Sequence, residues 1–270
     1  MKPAIKVLGV PDDINSSFMR GSSAAPPLIR EALYSASSNL FSESGLNLDQ
    51  KGIWEDLGDI EFAGEVAVEN FKKIKTFVKD VLVSNQKLVS LGGDHSVSWP
   101  ILDAHLDIWD ALDILHIDAH PDLYDSLLGN KLSHASPFAR IMETGRASRL
   151  VQVGIRTLNK HQREQAEKFG VEIYQMKDLA KLSSLSFSKP VYCSIDIDAL
   201  DPAYAPGVSH FEPGGLSTRQ LIDCLNGFKG RLIGADIVEY NPKRDFNNLT
   251  AMVAAKLLKE VIARIYRDNS

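Results

Sequence analysis

A chain of 270 residues has room for one large α/β domain or two smaller ones around a sizeable core. Its 44% apolar and 24% charged residues are the proportions of a soluble globular protein. A net charge of −5 without any lysine- or arginine-rich run excludes a nucleic-acid surface built on charge, and no apolar run of about 18 residues exists to cross a membrane.

In chain order, the opening apolar stretch ends at Val10, before Pro11-Asp12-Asp13. It is too short for a secretory apolar region, so the expected location is the cytoplasm, with no membrane partner. Ile5 to Val10 is the first strand-like run, and the serine-rich, polar stretch from Ser35 to Asn47 is expected to be a mobile surface loop. Val66 to Ser84 carries Val66, Val68, Phe71, Ile74, Phe77, Val78 and Val81 near a 3.6-residue period, which predicts a helix. Strand-like runs follow at Lys87 to Leu91, Ile114 to Asp118, Leu150 to Gly154, Val171 to Tyr174, Val191 to Asp196 and Leu232 to Asp236. Ser217 is a predicted N-cap for a helix over Thr218 to Phe228, and Thr250 to Tyr266 predicts a last helix.

Most of these strands are nearly continuous Val, Ile and Leu, as in parallel strands buried on both faces. Alternating strands and helices with no break in composition predict a single domain over residues 1–270, a three-layer αβα fold with a mostly parallel central sheet. Cys193 in a strand-like run and Cys224 in a helix-like one read as buried free thiols.

Three strand ends carry chemistry. Asp118-Ala119-His120-Pro121-Asp122 and Asp196-Ile197-Asp198 place metal-capable side chains at alternate positions, and alternate side chains on extended backbone share a face. Lys87 to Leu91 runs into Gly92-Gly93-Asp94-His95, where the glycines permit a tight turn that aims His95 at the same edge of the sheet. Four carboxylates gathered with two imidazoles repel one another unless cations lie between them. His95, Asp118, His120, Asp122, Asp196 and Asp198 therefore read as ligands of two ions. A donor set rich in oxygen and lacking thiolate favours Mn²⁺, Mg²⁺ or Fe²⁺ over structural Zn²⁺. Two such ions generate hydroxide at neutral pH and orient a polar substrate. The Gly/Pro/Asp-rich stretches Asp122 to Ser136 and Asp201 to Gly215 follow directly, where ligands bind in open parallel sheets. Asp94 and Asp201 read more simply as turn residues, and His105 and His116 as packing or surface histidines.

Gly92-Gly93-Asp94-His95-Ser96, Asp118 to Asp122 and Ser194 to Pro202 together resemble the signature motifs of the ureohydrolases, which comprise arginases, agmatinases and formiminoglutamases. The resemblance extends from Gly9-Val10-Pro11 to Ala251-Met252-Val253-Ala254-Ala255-Lys256. Gly129 to Ser136 and Pro206 to Gly215 are most similar to the plant-type arginases. The resemblance implies two Mn²⁺ per subunit: His95 and Asp122 on one, His120 and Asp198 on the other, Asp118 and Asp196 bridging. It implies that Glu239 binds the guanidinium of a small guanidino substrate and that His134 shuttles protons. The implied reaction is hydrolysis of L-arginine to L-ornithine and urea by a metal-bridging hydroxide, in a homo-oligomer, trimeric or hexameric.

Tyr124 stands where animal-type arginases carry the asparagine that reads the substrate carboxylate, and Asn159 falls near their amine-sensing acid. Plant-type arginases share this departure, so arginine is retained. The alternatives are agmatine, hydrolysed to putrescine and urea, or another guanidino compound. A catalytically silent metal-binding or sensing protein on the same scaffold is expected to have lost a ligand, His134 or Glu239, and none is lost.

Overall fold

The computed structural model describes residues 5–179 and 185–270. In chain order its elements are β1 Ile5–Val10, α1 Ala25–Leu33, β2 Trp54–Asp59, α2 Ala67–Leu82, β3 Lys87–Gly92, α3 Ser98–Leu106, β4 Asp113–Ile117, α4 Pro137–Glu143, β5 Arg149–Ile155, α5 Lys160–Phe169, β6 Glu172–Gln175, β7 Val191–Asp196, α6 Thr218–Gly227, β8 Leu232–Val238 and α7 Leu249–Asn269. The eight strands form one sheet in the order β2-β1-β3-β8-β7-β4-β5-β6, and every pairing between neighbours is parallel.

Successive residues of each strand feed two cores. Val7, Val89, Leu115 and Cys193 pack under α1, α6 and α7. Leu8, Leu88, Ile114 and Tyr192 pack under α2, α3 and α4. This is why β1, β3, β4, β7 and β8 are buried throughout and read as nearly continuous apolar runs. The helices behave as their periods predict. Phe71, Ile74, Val78 and Leu82 form the buried stripe of α2, and Ser217 and Gln220 close a reciprocal capping box on α6. Among the described residues no helix is long and apolar enough to cross a membrane.

Two expectations change. Sequence pattern misses β2 because Trp54-Glu55-Asp56-Leu57-Gly58-Asp59 is an edge strand with one side open to water. Arg30 of α1 holds it, with Asp56 at 2.7 Å and Asp59 at 2.5 Å. The stretch from Ser35 to Asn47 is not the mobile loop expected. Its backbone closes on itself through Ser42 N to Leu46 O at 3.0 Å, and Leu48 N to Leu40 O follows at 2.9 Å. It is tied to α7 by Glu43 N to Glu260 Oε1 at 2.9 Å and Lys259 Nζ to Asn39 O at 2.8 Å. Both cysteines are free thiols; Cys193 is buried and Cys224 partly so.

The chemistry-bearing segments leave the carboxyl ends of β3, β8, β7 and β4. These are four adjacent strands at the middle of the sheet, where open parallel sheets bind ligands.

Candidate metal centre and active site

The turn after β3 is set by close approach rather than by unusual backbone angles. A Cβ on Gly93 would lie 2.0 Å from the carbonyl oxygen of Asp12, and one on Gly92 would lie 2.6 Å from Val238 Cγ1. Neither glycine has positive φ. Only a residue without a side chain lets the segment after β1 pass this near. Asp94 then caps the 3₁₀ turn His95–Val97 by accepting from Ser96 N at 2.9 Å. It is a turn residue, as expected, and so is Asp201, which accepts from Ala203 N and Gly214 N.

The other two motifs converge by turning, not by remaining extended. β4 stops at Ile117, and Asp118 Oδ1 accepts from His120 N at 2.6 Å. β7 stops at Asp196, whose Oδ1 accepts from Asp198 N at 2.7 Å. Asp122 and Glu239 have φ of 49° and 66°, in the left-handed region. A non-glycine residue held there stores on the order of 1–3 kcal/mol, which the surrounding structure must supply.

All six expected ligands meet. His95 Nδ1 lies 3.2, 3.0 and 3.1 Å from carboxylate oxygens of Asp118, Asp122 and Asp196. His120 Nδ1 lies 3.0 Å from Asp198 Oδ2 and 3.5 Å from Asp118 Oδ1. Asp118 thus faces both imidazoles, as a bridging ligand would. Apart from His120, the set is buried. His95 Nδ1 is wholly enclosed yet makes no directed hydrogen bond. An orphaned nitrogen surrounded by carboxylate oxygens fits a donor set built around cations. Without cations, protons take their place. Burial, then the Asp118 charge, pushes Asp122 up to about 6, and burial with the Asp198 charge holds Asp196 well above the carboxylate range. Burial opposes charge on Asp118 too, but His116, His120 and His95 outweigh it and hold Asp118 well below that range.

Beneath the ligands lies a polar row that sequence reading missed. Strand register aligns Ser90 with Asp236, Asp236 with Ser194, Ser194 with His116 and His116 with Gln152 across five strands. All five residues have 0% exposure. Ser194 Oγ donates to Asp236 Oδ1 at 2.6 Å and so accepts from His95 Nε2 at 2.9 Å. That bond places the His95 proton on Nε2 and leaves Nδ1 as a lone pair for metal. Gln152 Nε2 donates to His116 Nδ1 at 3.0 Å, so His116 Nε2–H donates to Asp118 Oδ2 at 2.7 Å. His116 is therefore neither a surface nor a mere packing residue: it orients the Asp118 carboxylate. Burial lowers its pKa to about 4 and keeps the ring neutral. The signal was present in sequence, because Ser194 and His116 stand two residues before Asp196 and Asp118 and interrupt apolar runs on the ligand-bearing face. His105 is a packing residue as expected, with Nδ1 on Ile101 O and its ring against Tyr192.

Glu239 and His134 sit beside the cluster as a pair, Oε1 to Nδ1 at 2.8 Å. The same oxygen accepts from His95 N at 2.9 Å. Burial disfavours charge on both. The Glu239 carboxylate nevertheless raises His134 to about 9, and His134 in turn keeps Glu239 below the usual range. His134 Nε2 reaches the exposed Ser17 hydroxyl at 2.8 Å. A cavity of about 190 Å³ opens over this floor, walled by Ser17 and His210 on the His134 side and by Tyr124 and Thr157 as well. Ser17 was not singled out from sequence, and His210 entered only as part of Pro206 to Gly215, the stretch similar to plant-type arginases, with no role of its own. Both come from loops with no periodic pattern.

A parallel α/β sheet whose central strand ends hold a carboxylate-rich site for two cations defines a metal-dependent hydrolase fold. The Arginase family model matches residues 3–263, and the chain belongs to that family. It is 47% identical to "Arginase 2, chloroplastic/mitochondrial" of Arabidopsis thaliana, over 98% of this chain and 81% of that protein. It is 32% identical to an agmatinase of Bacillus cereus, over 96% of this chain and 90% of that one. The solved structure of an arginase from Medicago truncatula superposes with a TM-score of 0.92 at 45% identity, covering 97% of this chain and 87% of that one.

Proposed function

We propose that this chain hydrolyses L-arginine to L-ornithine and urea with two manganese ions per subunit. The observation that carries the reading is the Glu239–His134 pair set against the six-ligand cluster at the cavity floor. The 47% identity to a plant arginase favours arginine as the substrate. His95 and Asp122 would hold one ion, His120 and Asp198 the other, and Asp118 and Asp196 both. When bound, the two cations supply Lewis acidity and water activation at neutral pH.

The remaining steps belong to the chain's own residues. Glu239 Oε1 is already taken by His95 N and His134 Nδ1. Its Oε2 accepts nothing from the described residues and is open to a guanidinium N–H, a charge-assisted bond. That bond turns the guanidinium carbon toward the cluster. Protonated His134 gives a proton to the departing amine nitrogen as the C–N bond breaks, and Ser17 on its far side connects it to solvent. Tyr124, Thr157 and His210 line the same cavity.

Agmatine is the second reading, favoured by one observation: no lysine or arginine lines the described cavity to pair with a substrate carboxylate. Urea release from arginine, agmatine and other guanidines, measured side by side on manganese-loaded protein, separates the two. Far faster turnover of agmatine overturns arginine hydrolysis and leaves the mechanism standing. Reconstitution with Mn²⁺, Mg²⁺ and Fe²⁺ tests the metal, and equal activity with magnesium would remove manganese from the proposal. A homo-oligomer, trimeric or hexameric, belongs to the same reading; light scattering that returns a monomer would exclude it.

A further inference from the structure

His120 and Asp198, the expected ligands of one ion, leave different strands, and a single residue holds the backbone beside both. Arg156 directly follows β5. Its main-chain N–H donates to Ala119 O at 2.9 Å, which fixes the peptide joining Ala119 to His120. Its guanidinium reaches the turn that carries Asp198. Nη2 donates to Asp198 O at 2.7 Å and to Leu200 O at 3.3 Å, and Nη1 donates to Ala199 O at 3.2 Å. These are three consecutive carbonyls at the end of the 3₁₀ turn Ile197–Ala199, where a short helix runs out of partners of its own.

The same guanidinium also reaches the cavity wall. Nε and Nη2 both donate to Glu212 O, at 2.8 and 2.6 Å, within the stretch that brings His210 to the cavity. Nη1 donates back onto β5, to Gly154 O at 3.3 Å. Every one of these acceptors is a main-chain carbonyl, so the arginine shapes backbone rather than neutralising a carboxylate. Five N–H groups in one rigid plane suit that task, whereas a lysine has three donors on a single nitrogen.

Asp198 is thereby fixed on both sides. Its N–H donates to Asp196 Oδ1 at 2.7 Å, and its carbonyl accepts from Arg156. With both peptide planes set, the carboxylate is held toward His120, with Oδ2 3.0 Å from Nδ1. His95, at the other ion, is held instead by Glu239 and Ser194. Resting on the two-ion reading above, we propose that Arg156 is the positioning residue for the ion of His120 and Asp198, and not for that of His95 and Asp122.

The test counts manganese bound to the full chain and follows its electron paramagnetic resonance spectrum, which separates a coupled pair of Mn²⁺ from an isolated ion. Arg156→Lys keeps the charge and loses most of the carbonyl bonds. One ion should then bind about 10–100-fold more weakly, the usual effect of removing a support behind a ligand. Bound manganese should fall from two ions toward one, with the isolated-ion spectrum appearing. Gly215→Ala keeps every Arg156 donor, but its Cβ would lie 2.7 Å from Nη2 and 2.6 Å from Asp201 N. It should weaken the same ion by less, and it decides the matter if Arg156→Lys does not fold. Asp201→Ala is the control: Asp201 pins the same stretch through Gly214 N and Gly215 N, and its loss should leave both ions in place. Parent-like affinity for both ions in Arg156→Lys, loss of both together, or the same selective loss in Asp201→Ala overturns the proposal. If Arg156→Lys does not fold, parent-like affinity in Gly215→Ala overturns it. If the unaltered chain binds no manganese pair, the two-ion reading fails as well. If it binds the pair and Arg156→Lys does likewise, only this proposal fails.

Discussion

Ser194→Ala removes an atom that touches no expected ligand oxygen, yet it should loosen the metal site. Ser194 Oγ is the acceptor for His95 Nε2 at 2.9 Å and a donor to Asp236 Oδ1 at 2.6 Å. His95, Ser194 and Asp236 all have 0% exposure, so water cannot replace the lost partner without a cavity being opened. Each buried group left unsatisfied costs about 1–3 kcal/mol. Part of that loss falls on the fold: the melting temperature of the metal-free protein should drop by a few degrees, at roughly 2–4 °C per kcal/mol for a chain of this size. The rest falls on the metal. With Nε2 unsupported, the His95 proton shifts toward Nδ1, where Asp118, Asp122 and Asp196 attract it, and a cation must displace it. Outer partners of this kind contribute about 10–100-fold to metal affinity. Chelator competition against Mn²⁺ measures the loss, and Ser194→Thr, which keeps a hydroxyl, should recover part of it. A Ser194→Ala protein that holds manganese as tightly as the parent would refute the assignment of the Nε2 tautomer to this bond.

Further outcomes are expected at the site and away from it. Asp118→Ala and Asp196→Ala should each lose most of the bound metal, since in the proposed site each carboxylate would serve both ions; metal analysis of the purified variants checks this, and full occupancy in either would contradict the sharing. His134→Ala should retain both ions but lower kcat by about 10²–10⁴-fold, the usual range for a positioned acid or base; an unchanged kcat would remove the proton-transfer role. His105, fully buried, is pushed down to about 4 by burial. Its folded pKa is depressed, so its contribution is full above the unfolded value near 6.5 and is lost as pH falls toward 4. Between pH 7 and pH 5 this amounts to about 2 kcal/mol. Urea unfolding should therefore show a smaller loss across that interval in His105→Leu than in the parent, and equal losses would count against His105 as the source.

Much of the fold was legible because the central strands are buried on both faces and carry nearly continuous aliphatic runs. The edge strand β2 was not, because a strand exposed on one side has no need of such a run, and Arg30 reaches it from 24 residues before its start. At the site, the residue types at three strand ends announced metal chemistry in advance. The reason they converge differs from the alternation that suggested it: Asp118 and Asp196 each fold the chain back by accepting an amide two residues on.

The sequence by itself determined the class of chemistry. Carboxylates and imidazoles clustered after apolar runs have few stable uses other than cation binding, and that inference needs only composition and spacing. Tertiary structure alone decided which strands are neighbours, because strand order depends on crossovers and packing between residues far apart in the chain. From that order come the polar row from Ser90 to Gln152, the Gln152 bond that turns His116 toward Asp118, and the Glu239–His134 pair. Each joins residues distant in the chain. Its geometry is set by register and loop path, and no local pattern encodes it.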